Sequence, residues 1–224
     1  MALNANALTE LQTVKDDLGI TVSTYDARIE RLINSVSSAI DAYCRRTFAR
    51  GNLVEKVAGK GTPNIMLARP PIVVVNSLDD DGSALVEGDD FEIESVGAAI
   101  LKRIGTAWSW HTLGTGGISN DPIAGYERKL ITVDYDGGYT TPHQVTTAVY
   151  PGPSTLPSQI EEAAIMSVVS AFHSVGDDRR IANERLMDAA IAYGARNKIT
   201  GRGMGGLLVD DAVAILEPFR LVEC

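Results

Sequence analysis

The stretch from Tyr25 to Arg46, YDARIERLINSVSSAIDAYCRR, constrains this chain most, because it is the longest run with one unambiguous period. Ile29, Leu32, Ile33, Val36, Ile40, Tyr43 and Cys44 recur at three- and four-residue steps, which places them on one stripe of an α-helix. The other face carries Arg28, Glu30, Arg31, Asn34, Ser38, Asp41 and Arg45. Such a helix is amphipathic and needs an apolar partner to cover it. Ser23, Thr24 and Asp26 offer its start, and Arg45 and Arg46 suit the negative end of its dipole. Its length would be roughly 30 Å, about the width of a small domain.

A chain of 224 residues that is 45% hydrophobic can bury one large core, or one core and a smaller lobe. Two cysteines, Cys44 within the helix stripe and Cys224 at the end, cannot build a disulfide framework and suit a reducing compartment. Cys44 reads as a small core residue. No apolar run approaches the ~18 residues of a membrane span, and MALNANALTE lacks the basic flank and apolar stretch of a signal peptide. The chain is expected to be made in the cytosol and to have no membrane partner. Its net charge is −9, and residues 51–157 hold seven basic and thirteen acidic side chains. That balance opposes tight sequence-specific DNA binding, which needs cations for phosphates. A surface kept soluble by acidic groups accounts for it.

A shorter helix precedes the long one. Thr9 and Gln12 form a capping-box pattern, Leu11, Val14 and Leu18 make a stripe, and Gly19 stands where a left-handed residue would end it. The brief link from Ile20 to Thr24 favours an antiparallel helical hairpin. After Phe48 the period changes from 3.6 to 2. Six short strands are expected at 53–58, 64–68, 72–78, 91–95, 98–104 and 129–135, divided by GKGTP, RPP, DDDGS, VG and DGGY. Brief turns between short strands imply an antiparallel sheet. Two longer segments interrupt it: 105–125, with Trp108, Trp110 and His111, and 140–157, rich in Pro and Thr. Trp108 and Trp110 share parity on a strand, so they could stand on a hairpin tip or pack over a sheet edge. Helical periodicity returns at Ser158, where Ser158 and Glu161 repeat the capping-box pattern, and Ile160, Ala164, Val168, Ala171, Phe172 and Val175 keep one face apolar. A further helix is expected over 183–197 on a thin stripe of Leu186, Ala190 and Tyr193. A glycine-rich run then leads to a last short helix over 210–216, closed by Pro218.

The expected fold class is therefore α+β: an antiparallel helical bundle with an inserted antiparallel β-lobe and a flexible C-terminal helical segment. Its divisions would be residues 1–50 for the helical hairpin, 51–157 for the β-lobe, 158–198 for the helices completing the bundle, and 199–224 for a hinge and docking segment.

Several motifs invite a chemical reading and fail. Gly201, Gly203 and Gly206 match a dinucleotide-binding glycine pattern, but no strand precedes them and the chain ends before the needed acidic residue. Gly59, Lys60 and Thr62 resemble a phosphate loop, yet Val54 occupies the first glycine position and Gly61 separates Lys60 from Thr62. Asp79, Asp80, Asp81 and Gly82 lack the calcium-loop ligands on either side, since Ser77 falls at the first position and Gly88 at the twelfth. A polar hairpin turn explains them. His111, His143 and His173 have no ligand-spaced neighbours, and no nucleophile motif is present. No catalytic residue, metal ligand or cofactor is expected, and the chain does not read as an enzyme.

Taken in order, the elements resemble the head-to-tail connector, or adaptor, proteins of tailed bacteriophages, which complete the head beneath the portal. The resemblance is carried by LTELQTVKDDLGI, ARIERLINSVSSAIDAYCRRTF, LARPPIVVVNSL, ITVDYDGGY, LPSQIEEAAIMSVVSAF and LEPFR. The chain differs from shorter members in a larger β-region and in an extra segment over 179–206. The resemblance implies a structural virion protein of the neck, present as a twelvefold ring of identical copies. Its partners would be the portal protein, neighbouring copies and a tail or neck protein, with double-stranded DNA passing non-specifically. An acidic channel wall suits sliding DNA. The rivals are a small-molecule-binding or enzyme accessory domain, and another phage neck or tail-completion protein. The C-terminal helix carries Leu208, Val213, Leu216 and Phe219, too small an apolar set to fold alone. It either packs back on the long helix or docks on the portal through these residues and Arg220.

Overall fold

The computed structural model describes residues 2–59, 61–108, 131–173 and 207–221, together with two strands at 183–186 and 189–192. The chain divides into two compact units, one of residues 1–49 and 139–224 and the other of residues 50–138.

The first unit is built on helices. α1 spans Leu11–Leu18, α2 Asp26–Cys44, α3 Pro142–Thr146, α4 Ser158–His173 and α5 Asp210–Leu216, the last continuing into a 3-10 turn at Glu217–Phe219. α2 buries Ile29, Ile33, Val36, Ile40 and Cys44, the stripe its period predicts, and Val36 and Ile40 are fully buried. Leu32 and Tyr43 lie half-buried at its margins. α4 meets α2 through small residues. Ala163, Ala164 and Ser167 are buried, and the Ser167 hydroxyl donates to the Ala163 carbonyl at 2.8 Å, so the close approach leaves no hydroxyl unsatisfied.

The helix ends are partly as expected. Gly19 takes the left-handed conformation, φ 66°, and lets Ile20 N–H reach back to the Lys15 carbonyl at 2.9 Å. At the other end of α1 the cap is Glu10, not Thr9. Gln12 donates instead to Asp16 one turn ahead, at 2.6 Å, so the expected box does not form. α2 ends on Arg45, itself left-handed at φ 55°, so its two arginines stand beyond the last turn. α4 begins at Ser158, with the Pro157 carbonyl accepting from Ile160 N–H at 2.9 Å.

Among its described residues, the second unit is built of strands. Its strands are β1 Gly51–Val57, β2 Asn64–Met66, β3 Ile72–Asp80, β4 Ser83–Leu85, β5 Phe91–Ser95, β6 Ile100–Arg103 and β7 Ile131–Gly137. They form two antiparallel sheets, ordered β1-β7-β3-β4 and β2-β6-β5. β7 alternates without a break: Ile131, Val133, Tyr135 and Gly137 are buried, and Thr132, Asp134 and Asp136 are partly exposed. Its buried side chains join Leu78, Phe91 and Leu101 in a core belonging to this unit. The acidic run turns β3 into β4. Asp81 and Gly82 have φ of 54° and 85°, and the Asp79 carboxylate accepts from Gly82 N–H at 2.8 Å.

A polar node ties the link before β3 to β7. The Tyr135 hydroxyl donates to Glu55 at 3.0 Å and accepts from Arg69 N–H at 3.0 Å, while Glu55 also accepts from Ala68 N–H at 2.9 Å. Burial pushes the Tyr135 hydroxyl well above its ordinary pKa, an effect the Arg69 N–H bond opposes and the Glu55 carboxylate adds to. Gly137 permits the approach, because a Cβ there would lie 2.3 Å from the Arg69 carbonyl oxygen.

Two sequence expectations are corrected. The chain is α+β, but it is not an antiparallel helical bundle with an inserted β-lobe and a flexible C-terminal helical segment: sheet is too large a part of it, and α5 joins the first unit's core. Each short strand carries little signal alone, so one long helix dominated the reading. Of the helix expected over 183–197, the described residues 183–186 and 189–192 are strand instead. β8, Asn183–Leu186, pairs antiparallel with β9, Ala189–Ala192, joining Asn183 to Ala192 and Leu186 to Ala189. A three-residue stripe cannot carry a helix of that length, which gains little stability without a well-filled apolar face.

Candidate docking site

The five side chains expected to dock, Leu208, Val213, Leu216, Phe219 and Arg220, lie in one stretch, yet the structure sorts them by environment. Leu208 and Leu216 are buried in the first unit's core with Val209 and Ala212. Val213 and Phe219 are half-buried against that core, and Arg220 is exposed. Asp210 and Asp211 in the first turn of α5 complement its positive end.

The end of α2 clamps this stretch. The Cys44 carbonyl accepts from Leu221 N–H at 3.0 Å, and the Tyr43 hydroxyl donates to the Glu217 carboxylate. Arg220 lies 3.5 Å from Glu217 and places its guanidinium 5.6 Å from the centre of the Tyr43 ring. Burial, followed by the Glu217 bond and charge, pushes the Tyr43 hydroxyl up to about 12. Burial also pushes the Cys44 thiol up to about 12, opposed by Arg46. Cys44 is therefore an inert core thiol.

One face of α5 is open to solvent at Asp211, Ala214 and Pro218, with Ile215 half-buried between them. Asp211, Ala214, Ile215 and Pro218 follow one another at helical spacing, and the last three, with Phe219 and the first turn of α4, Ser158, Gln159 and Glu162, line an open groove of about 570 Å³. Sequence reasoning missed this face because it ranked the residues by apolar character, and the most apolar ones are those the core takes. The i, i+3, i+4, i+7 spacing of Asp211, Ala214, Ile215 and Pro218 was the available signal.

The segment over 140–157 was also read past. Thr141-Pro142-His143-Gln144 is a capping box with Pro at the first helical position, and it forms: Gln144 N–H donates to the Thr141 hydroxyl at 3.3 Å, and Thr141 N–H donates to the Gln144 side chain at 3.2 Å. The Thr140 carbonyl then accepts from Thr155 N–H at 3.0 Å and from the Ser154 hydroxyl at 3.0 Å, which closes the segment on itself. Trp108 is buried at 1% exposure, with the Arg103 guanidinium 5.7 Å from its ring centre, so it is not at a hairpin tip. Trp110, His111 and Gly201 to Gly206 lie outside the described residues. Among the described residues, no group of three His, Cys, Asp or Glu side chains could hold a metal, and no helix is long and apolar enough to cross a membrane.

Comparison with known proteins bears on this architecture. The sequence profile of the phage gp6-like head-tail connector proteins matches residues 8–78, from just before α1 to within β3. No curated protein matches the chain. Among solved structures, a chain in the virion of a native gene transfer agent particle is similar at TM-score 0.55 and 14% identity, covering 100% of this chain and 94% of that one. Chains in the neck of the empty particle, computed with C6 symmetry, and of the native particle, computed with C12 symmetry, are similar at TM-scores of 0.54 and 0.52. Each of these two is 13% identical, over 100% of this chain and 94% of that one, and likeness at such identity speaks for the fold. The chain is thus similar to the phage gp6-like head-tail connector proteins over residues 8–78, and over its whole length it shares the fold of the gene transfer agent chains.

Proposed function

We propose that the protein is a structural subunit of the virion neck, a head-tail connector whose copies form a ring between head and tail. The observation that carries this reading is the connector profile over residues 8–78 on a chain whose whole fold is that of a neck subunit. The C6 and C12 symmetry of the similar necks supports a closed ring, and a cyclic contact is heterologous, joining two different faces of one subunit. The ring sits beneath the portal protein, receives a tail or neck protein on its other side, and carries no chemistry of its own. Seven basic against thirteen acidic side chains in residues 51–157 suit a wall past which DNA slides without sticking. Docking to the portal uses the C-terminal stretch through Val213 and Arg220, with Phe219 lining the α4–α5 groove and Leu208 and Leu216 left in the core. A role as a small-molecule-binding or enzyme accessory domain is not favoured, since the grooves at Asn4–Ser38 and between α4 and α5 are open to solvent. Removing the protein from a producing system should yield DNA-filled heads without tails. Normal tailed particles would overturn the proposal.

A further inference from the structure

We infer that the α4–α5 groove is the receiving half of the contact between neighbouring copies, and that it takes the outward face of α2 from the next copy. The inference rests on the ring reading above and names the surfaces that make the ring.

The groove has an apolar floor, Ala214, Ile215, Pro218 and Phe219, and the acidic Glu162 of α4 in its lining; Asp211, about one turn before Ala214 on α5, is exposed like Glu162. Glu217, close by, is already engaged by Tyr43 and Arg220. An occupant must then be a slim surface with cations at its flanks and no acid of its own.

The exposed stripe of α2 has this composition. Ala27, Arg31, Ser35, Ser38, Ala42 and Arg45 succeed each other at three- and four-residue steps, all exposed. Arginines flank small residues, and no acidic side chain lies on the stripe. Its hydroxyls are already satisfied: Ser35 donates to the Arg31 carbonyl at 2.9 Å and Ser38 to the Asn34 carbonyl at 3.0 Å. Covering them therefore strands no donor. Small residues let another element approach the helix closely, and the two arginines face the sign of Glu162 and Asp211. Stripe and groove share no residue, as a heterologous contact that closes into a ring requires.

The test uses particles and a cysteine pair. In a Cys224→Ser background, Ser38→Cys and Ile215→Cys are introduced together and singly, and purified particles are treated with a short bismaleimide. The buried Cys44 thiol stays silent. The double variant should give a ladder of covalent multimers in denaturing gels, and each single variant a monomer. Charge reversal supplies the second arm. Glu162→Lys with Asp211→Lys, or Arg31→Glu with Arg45→Glu, should each reduce incorporation at least tenfold, and combining all four should restore it. Incorporation of the double-cysteine protein without a ladder, or no rescue by the fourfold reversal, overturns this contact while leaving the connector reading intact. Absence of the unmodified protein from particles overturns both.

Discussion

Replacing Tyr135 by Phe removes one oxygen and leaves the ring, so it isolates the polar node of the sheet unit. Two hydrogen bonds go with that oxygen, one to the Glu55 carboxylate and one from Arg69 N–H, each 3.0 Å long. A neutral bond contributes about 1 kcal/mol net, and one to a charged group about 1.5–3 kcal/mol. Glu55 and Arg69 are half-buried, so water recovers part of the loss, and Ala68 N–H still satisfies Glu55. The expected cost is about 2 kcal/mol. Trp108 is buried in this unit's core, so urea melts followed by indole fluorescence report on it. The midpoint should fall while the slope is unchanged, because the apolar area buried by the ring is retained. A Glu55→Gln partner completes a double-mutant cycle with an expected coupling of about 1 kcal/mol. A loss below about 0.5 kcal/mol for Tyr135→Phe would refute the reasoning, since no node held by two such bonds should be that indifferent.

Val36→Asp places a carboxylate at a fully buried point of α2 and should cost more than about 3 kcal/mol in denaturant melts; an equally stable variant would refute the core assignment. Deleting residues 207–224 removes Leu208, Val209, Ala212 and Leu216 from the core and should lower the melting temperature sharply, by a loss of about 5 kcal/mol or more from burial. A melting temperature unchanged by the deletion would show that α5 adds nothing to the core of the free protein. Cys44 and Tyr43 stay neutral in the fold up to about 12, against ordinary values of 9.0 and 10.0. The unfolded chain therefore ionises first, so stability is unaffected by them below about pH 9 and falls as pH rises towards about 12. Thermal melts over that range check the slope, and Cys44→Ala should remove its lower part.

The expected elements and the found ones differ in instructive places. The α2 stripe was legible because a long helix repeats its period many times, and β7 because ITVDYDG alternates without a break. Gly19 and the Asp81-Gly82 turn were legible because left-handed positions have few suitable occupants. β4, only three residues, SAL, carried no pattern of its own and exists because β3 offers it a ladder. At Thr9 a capping signature was present but the chain caps on Glu10, with Thr9 drawn into the interior. At Thr141 the same signature was overlooked and is formed. Of the five candidate docking residues, the sequence could mark the stretch but not its division into core and surface.

By itself, the sequence determined where the chain turns helical, where it turns extended and which side chains share a stripe, because periodicity is a local property written along a few turns or pleats. Tertiary structure alone decided which stripe meets which. β7 inserts between β1 and β3 across fifty or more intervening residues, and the C-terminal stretch yields Leu208 and Leu216 to the core while leaving Ala214 and Pro218 exposed. Those outcomes follow from competition among apolar faces brought together by chain closure, and the spacing of residues within one element holds no record of which competitor wins.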